Sequence, residues 1–266
     1  MISLIIFTLA FILRIFLPTL TGATPAVFLG ALTVVTTYFL IREAQVERAE
    51  SIARLSALLL AINPWHILVS REFILGDGLL LAVTLGLWFF FHFEGKKKVR
   101  KTAVALTGII FGGVFLKESL SFHSLTEIAD RYGAPFSGQF LFFAGDWFGL
   151  NKAAAYQGAM YDLDIVFLLW GLGYLISKKR DRFENLILYW LLLAPLPAIF
   201  FPEKPLSLAS FGLVIPLVFL VAQGVDRLFW SLRKKPLWAK VSTQLFLWSG
   251  YGFCLIRFVD LIFNHR

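Results

Sequence analysis

The sequence predicts an all-α polytopic membrane protein of about nine transmembrane helices, organised as a single transmembrane domain over residues 1–266. Three observations carry that expectation. The chain is 58% hydrophobic and only 16% charged, too apolar for a soluble domain whose surface must be covered with polar side chains. Apolar runs approaching the roughly 20 residues that a crossing helix needs recur along its whole length. The cations between those runs are distributed unevenly, as a membrane topology requires.

The runs cover approximately residues 2–20, 23–41, 52–70, 78–93, 102–118, 162–177, 186–201, 205–224 and 241–263, each bounded by charge, Gly or Pro. The first lacks a basic stretch ahead of its apolar core and leads directly into the second, so it is expected to stay as a span and not to be removed as a signal peptide. Pro64, Pro195, Pro197 and Pro216 lie within or near the ends of runs, where a missing amide donor kinks a helix. Arg14 and Arg54 fall inside runs and are expected to snorkel or to pair with a neighbour; Arg257, with Asp260 three residues on, suits an ion pair.

If every run crosses, the connections REAQVERAES, EGKKKVRK, KKRDRFEN and DRLFWSLRKKPLWAK share one side with 16 Lys and Arg, against 6 on the other. The positive-inside rule then puts the N-terminus in the cytoplasm and the C-terminus outside, in a plasma membrane. The net charge of +8 is thereby read as an orientation signal and not as a nucleic-acid footprint. A single cysteine, Cys254, excludes a disulfide framework, and the four histidines, His66, His92, His123 and His265, show no metal-ligand spacing.

One external connection, Lys117 to Asp162, is 46 residues long and exceeds what a turn requires. Within it, Ser124 and Glu127 have capping-box spacing, and Leu125, Ile128 and Tyr132 recur with a helical period until Gly133 and Pro135. A short amphipathic helix at the membrane surface follows. The aromatic stretch FSGQFLFFAGDWFGL, residues 136–150, is expected to fold back on the membrane mouth.

The chemistry concentrates in INPWHILVSREFILGDGLLL, residues 62–81, where an apolar run stops, exposes charge and resumes. It brings Trp65, His66, Arg71, Glu72 and Asp77 together. Arg71 suits a phosphate, because a guanidinium fork matches phosphate oxygens; an interfacial anchor is the alternative. Glu72 and Asp77 are candidate proton acceptors that would diverge on a continuous helix and converge only across a break. His66 is either a donor to a phosphate or sugar oxygen, or a packing residue beside Pro64 and Trp65. In the long loop, Asp146 and Trp147 suit a sugar and Lys152 a phosphate, with an interfacial belt as the alternative.

INPWHILVSREFILGDGLLL resembles the Pro-Trp-His, then Ser-Arg, then acid-or-amide pattern of polytopic GT-C glycosyltransferases related to protein O-mannosyltransferases. ATPAVFLGALTVVTTYFL, FSGQFLFFAGD and LYWLLLAPLPAIFF are similar to further segments of the bacterial branch, in the same order. The resemblance implies transfer of a sugar from a polyprenyl-phosphate donor on the extracytoplasmic face, with Asp77, Glu72 or Asp146 catalytic and Arg71, His66, Trp65, Lys152 and Trp147 binding substrate. It implies no resident cofactor, the lipid-linked sugar being a substrate. The family carries its catalytic acid in a long loop between the first two spans, whereas here no carboxylate precedes Glu43, and fewer spans follow the Ser-Arg segment. The chain thus resembles a reduced member. A non-catalytic subunit that binds lipid or another membrane protein on the same scaffold is the alternative; a transporter would call for paired broken helices in a repeat, which the sequence lacks.

Membrane-impermeant amine labelling of intact cells is expected to reach Lys152 and to spare the Lys96 to Lys101 cluster. Labelling in the opposite sense defeats this topology.

Overall fold

The computed structural model describes residues 2–16, 24–44, 47–72, 74–93, 124–144, 157–200 and 205–264. Among them every regular element is helical. Helices α1 (Ile2–Phe16), α2 (Thr24–Glu43), α3 (Ala49–Ile62), α4 (Pro64–Glu72) and α5 (Ile74–His92) form the first group, with α2 packed against each of the other four. In the second, α6 (Leu125–Gly133) precedes α7 (Asp164–Ser177), α8 (Arg182–Leu193), α9 (Leu196–Phe200), α10 (Leu206–Ala209), α11 (Val214–Ser231) and α12 (Leu237–Asn264). Helix α11 packs on α7, α8 and α3, so α3 joins the two groups.

Nine crossings are more than length and composition support here. Four stretches, Pro25–Glu43, Arg182–Phe200, Phe211–Ser231 and Leu237–Phe263, are long and apolar enough to cross a membrane, and α3 with α4 makes a fifth if a bent pair counts as one span. Leu4–Ile15, Gly76–His92 and Asp164–Ser177 are apolar but shorter among the described residues. The run at 102–118 lies outside the described residues.

The third run is broken where the sequence places Pro64. Asn63 leaves helical geometry at φ −65°, ψ 127°, as a residue before proline must, and the helix axis turns by 57°. Asn63 then caps α4: its Oδ1 accepts from the His66 amide at 2.9 Å, and Pro64 takes the first helical position, where no amide donor is needed. The surface helix also forms as its sequence predicts. The Ser124 hydroxyl accepts from the Glu127 amide at 3.3 Å, and Tyr132 at the far end donates to the Leu192 carbonyl at 2.9 Å, which ties α6 to the end of α8.

Polar contacts divide the bundle into two ends. At one, His92 faces Glu43 at 3.7 Å, Glu47 accepts from Tyr174 at 2.9 Å and from Arg227 at 2.8 Å, and Lys178 pairs with Glu184 at 2.7 Å. The ends of α2, α5, α7 and α11 that lead into the four basic connections therefore lie together, and this is called the basic end below. Arg48 sits there at φ 62°, a left-handed backbone costing a non-glycine residue about 1–2 kcal/mol, and its ion pair to the buried Asp226 at 3.1 Å offsets that cost. At the other end, Tyr161 donates to the Ile62 carbonyl at 2.6 Å, and Arg257 meets Asp162 at 3.6 Å.

Two glycines let α7 and α11 approach closely. A Cβ on Gly171 would come within 1.9 Å of the Leu220 carbonyl oxygen, and one on Gly224 within 2.1 Å of the Phe167 oxygen. Gly171→Ala is expected to lower stability by about 1–3 kcal/mol in thermal unfolding of the detergent-solubilised protein. Gly173→Ala, which meets open space, is expected to be neutral or slightly stabilising.

Candidate functional site

The break between α3 and α4 creates the site. Because α4 leaves the axis of α3 at Asn63, its residues face inward on almost every side, and Trp65, His66, Ser70 and Arg71 are all 0–1% exposed. Trp65 is fixed by a hydrogen bond from Nε1 to the Ser207 carbonyl at 2.6 Å and by edge-on contacts with Phe140 and Phe211. The same phenylalanine, Phe211, stacks on the His66 ring at 5.8 Å. The segments 136–144, 157–163 and 205–213 thus close over the corner: Asn63 Nδ2 donates to the Ala159 carbonyl at 3.3 Å, and Phe140 and Leu141 accept from the amides of Ala159 and Met160. The described part of the aromatic stretch, residues 136–144, packs onto this end of the bundle, and residues 145–150 lie outside the described residues.

Of the two courses the sequence leaves open for Arg14, snorkelling or pairing with neighbours, the structure shows pairing. Arg14 does not snorkel; it lies on the inward stripe Ile6, Ala10, Arg14 of α1 and is fully buried. Its Nε donates to Ser70 Oγ at 2.8 Å, and one terminal nitrogen donates to the carbonyls of Ala10 at 2.7 Å and Ala61 at 3.3 Å. The other terminal nitrogen meets His66 Nδ1. Since arginine only donates, His66 Nδ1 accepts and the ring proton sits on Nε2, which has no hydrogen-bond partner among the described residues. Gly30 on α2 makes room for this joint: a Cβ there would come within 2.4 Å of Ser70 Cβ and 3.2 Å of Arg14 Nε.

Asp77, near the start of α5, is 0% exposed and within Coulombic reach of Arg14, which is in turn within reach of Arg71. Neither carboxylate oxygen of Asp77 has a hydrogen-bond partner among the described residues. Arg71 is buried at 1% and does not extend to the surface as an interfacial anchor. Gly76 and Gly78, the positions where a break would let Glu72 and Asp77 converge, lie inside α5. Glu72 ends α4, and its side chain is outside the described residues, as are Asp146, Trp147 and Lys152 altogether. A lone arginine in an apolar helix was the signal for Arg14, since an ionisable group among spans demands a partner.

Chemically the cluster combines two guanidiniums, one carboxylate and a neutral imidazole donor, with a net positive balance. Such a set suits an anionic phosphate beside a proton acceptor. Among the described residues no three His, Cys, Asp or Glu side chains gather to hold a metal ion. A separate cleft of about 400 Å³ lies between α1 and α12, lined by Leu13, Leu255, Ile256, Val259 and Phe263 with Asp260. It is apolar and does not include the Arg14 cluster.

Comparison with known proteins returns no matching family model, no matching curated protein and no matching solved structure.

Arg14→Met is expected to destabilise the protein by about 3–5 kcal/mol, because it strips the partner from buried Ser70, His66 and Asp77. Arg54→Met, whose guanidinium pairs with Glu50 at an exposed position, is expected to cost no more than about 0.5 kcal/mol in the same urea titration.

Proposed function

We propose that this protein is a membrane glycosyltransferase of the GT-C kind, using a polyprenyl-phosphate sugar on the extracytoplasmic face. In this reading it lies in the plasma membrane with its N-terminus cytoplasmic and its C-terminus outside. The three shorter apolar helices and the run at 102–118 complete nine crossings. The observation that carries the reading is the meeting of Arg14, Arg71 and Asp77, from three separate helices, in one buried cluster with an excess of positive charge.

The roles follow from the chemistry. The guanidiniums of Arg14 and Arg71 bind the donor phosphate and stabilise the charge it gains on leaving. The acceptor hydroxyl oxygen bonds to the anomeric carbon as the bond from that carbon to the phosphate oxygen breaks. The bond pair leaves with the polyprenyl phosphate, and the hydroxyl proton passes to Asp77, whose oxygens carry no other hydrogen bond among the described residues. His66 and Trp65 bind the substrate from α4, and Trp147 and Lys152 contribute to sugar and phosphate from the long loop. Glu72 and Asp146 are the other carboxylates able to take the proton. The cluster is closed to the outside, so turnover requires the segments that cover it to open.

A second reading rests on the bonding of Arg14. Its hydrogen bonds go to the chain itself, to Ala10, Ala61, Ser70 and His66. On that reading the cluster is a structural joint in a non-catalytic subunit that binds lipid or another membrane protein.

Transfer of labelled sugar from polyprenyl phosphate by the purified protein separates the two. Asp77→Asn is expected to lower turnover at least about 100-fold while donor binding persists. Absence of turnover in the unaltered protein, or turnover untouched by Asp77→Asn, Glu72→Gln and Asp146→Asn alike, overturns the transferase reading.

A further inference from the structure

The basic end carries an arrangement that the transferase reading does not use. Trp230, in the last turn of α11, is 37% exposed, and two guanidiniums lie against its ring: Arg48 at 4.4 Å from the centroid and Arg233 at 3.5 Å. Two cations on one indole repel each other, and they are not equally compensated. Arg48 is held by Asp226 at 3.1 Å, and Asp226 is fixed in turn by the Ser51 hydroxyl at 2.6 Å. Arg233 forms no ion pair among the described residues, and Lys234 and Lys235 beside it are exposed. One terminal nitrogen of Arg48 also lacks an acceptor among the described residues.

The neighbouring acids are already engaged. Glu47 accepts from Arg227 and Tyr174, hydrogen bonds that hold its carboxyl below the usual range, and Glu184 accepts from Lys178 and Gln223. Positive charge is therefore left over at Trp230 and Arg233. Exposed apolar side chains follow in the chain, Leu237 at 75% and Trp238 at 74%, at the start of α12 beyond the turn that holds Arg233. A free anion needs only the cations. Cations joined to exposed indole and leucine fit a ligand that has a phosphate at one level and hydrocarbon at the next.

From this juxtaposition we infer that Arg48, Trp230 and Arg233 form a headgroup site for one anionic phospholipid. Its phosphate lies between the two guanidiniums, and its acyl chains run along Leu237 and Trp238. Arg48 is the fixed wall, pinned by Asp226 and by its left-handed backbone. Arg233 is the adjustable one, placed by the turn in which its amide donates to the Trp230 carbonyl at 3.2 Å. The site is at the opposite end of the bundle from Arg14 and Asp77, so it stands or falls independently of glycosyl transfer.

The test reconstitutes the full chain in vesicles of mixed phosphatidylglycerol and phosphatidylcholine, extracts it in mild detergent and counts retained lipid by native mass spectrometry. One phosphatidylglycerol per chain is expected to remain, with phosphatidylcholine not retained. Arg233→Gln is expected to weaken retention about fivefold, in line with one cation near an anionic surface. Trp230→Leu is expected to weaken it too, and Lys240→Gln, a cation outside the cluster, to leave it unchanged. Equal retention of phosphatidylcholine, indifference to Arg233→Gln and Trp230→Leu, or displacement of the lipid by inorganic phosphate alone would each overturn the site. Co-purification of an acidic protein in place of lipid would also overturn it.

Discussion

A guanidinium enclosed among apolar helices must find acceptors, and the way Arg14 finds them organises this end of the bundle. Its acceptors belong to α1 itself, to the last turn of α3 and to α4. Helix α1 is thereby fixed in rotation and in height against the α3 to α4 break. No apolar contact could do this, because dispersion is nearly indifferent to a small slide, whereas hydrogen bonds at 2.7 and 2.8 Å are not. Inside a bundle surrounded by hydrocarbon the alternative to these bonds is an unsatisfied charge, so the joint is enforced by the cost of breaking it.

The same joint explains why the break at Asn63 matters. Straightening α3 into α4 would carry Ser70 and His66 away from α1 and leave Arg14 with only the Ala10 and Ala61 carbonyls. Two inexpensive local devices hold the bend instead: proline excludes helical geometry from Asn63, and the Asn63 side chain then serves as the cap of the next helix. Gly30 completes the arrangement by leaving α2 without a side chain where Ser70 approaches. The corner is a consequence of backbone chemistry, and the charge cluster is what that corner makes affordable.

Much of this was legible in the sequence, and the reasons for the rest are physical. Pro64 announced the kink, Ser124 and Glu127 the start of the surface helix, and the cation pattern the grouping of α2, α5, α7 and α11 ends. For Arg14 the sequence left snorkelling and pairing both open, because α1 is apolar all round: with no polar face, nothing in the sequence says that Ile6, Ala10 and Arg14 point inward while Leu4, Ile5 and Ile15 point out. Hydropathy measures composition, whereas crossing depends on uninterrupted helical length, so the apolar runs yield, among the described residues, four helices of crossing length and one bent pair. Asp77 could be named in advance but its neighbours could not, since they are set by the contact of α1 with α3 and α4, and contacts between helices leave no local trace.

The two ends of the molecule handle charge by opposite means. At the corner, charges are dry, and Arg14 is bonded to groups from other helices, so electrostatic interaction is strong and removal of that arginine is costly. At the basic end most of the groups reach solvent, the buried Asp226 apart: Arg227 and Tyr174 share Glu47, Arg48 shares Asp226 with Ser51, and indole or phenol rings lie under the guanidiniums. Screening makes each of those pairs weak, so the network cannot stabilise the fold in the way that Arg14 does. What it does instead is keep several cations oriented at one level along the bundle with acidic partners too few to neutralise them all. An orientation of charge that contributes little to folding, yet is kept in register by a left-handed residue and by stacked rings, is better suited to an anionic surface than to the protein's own stability.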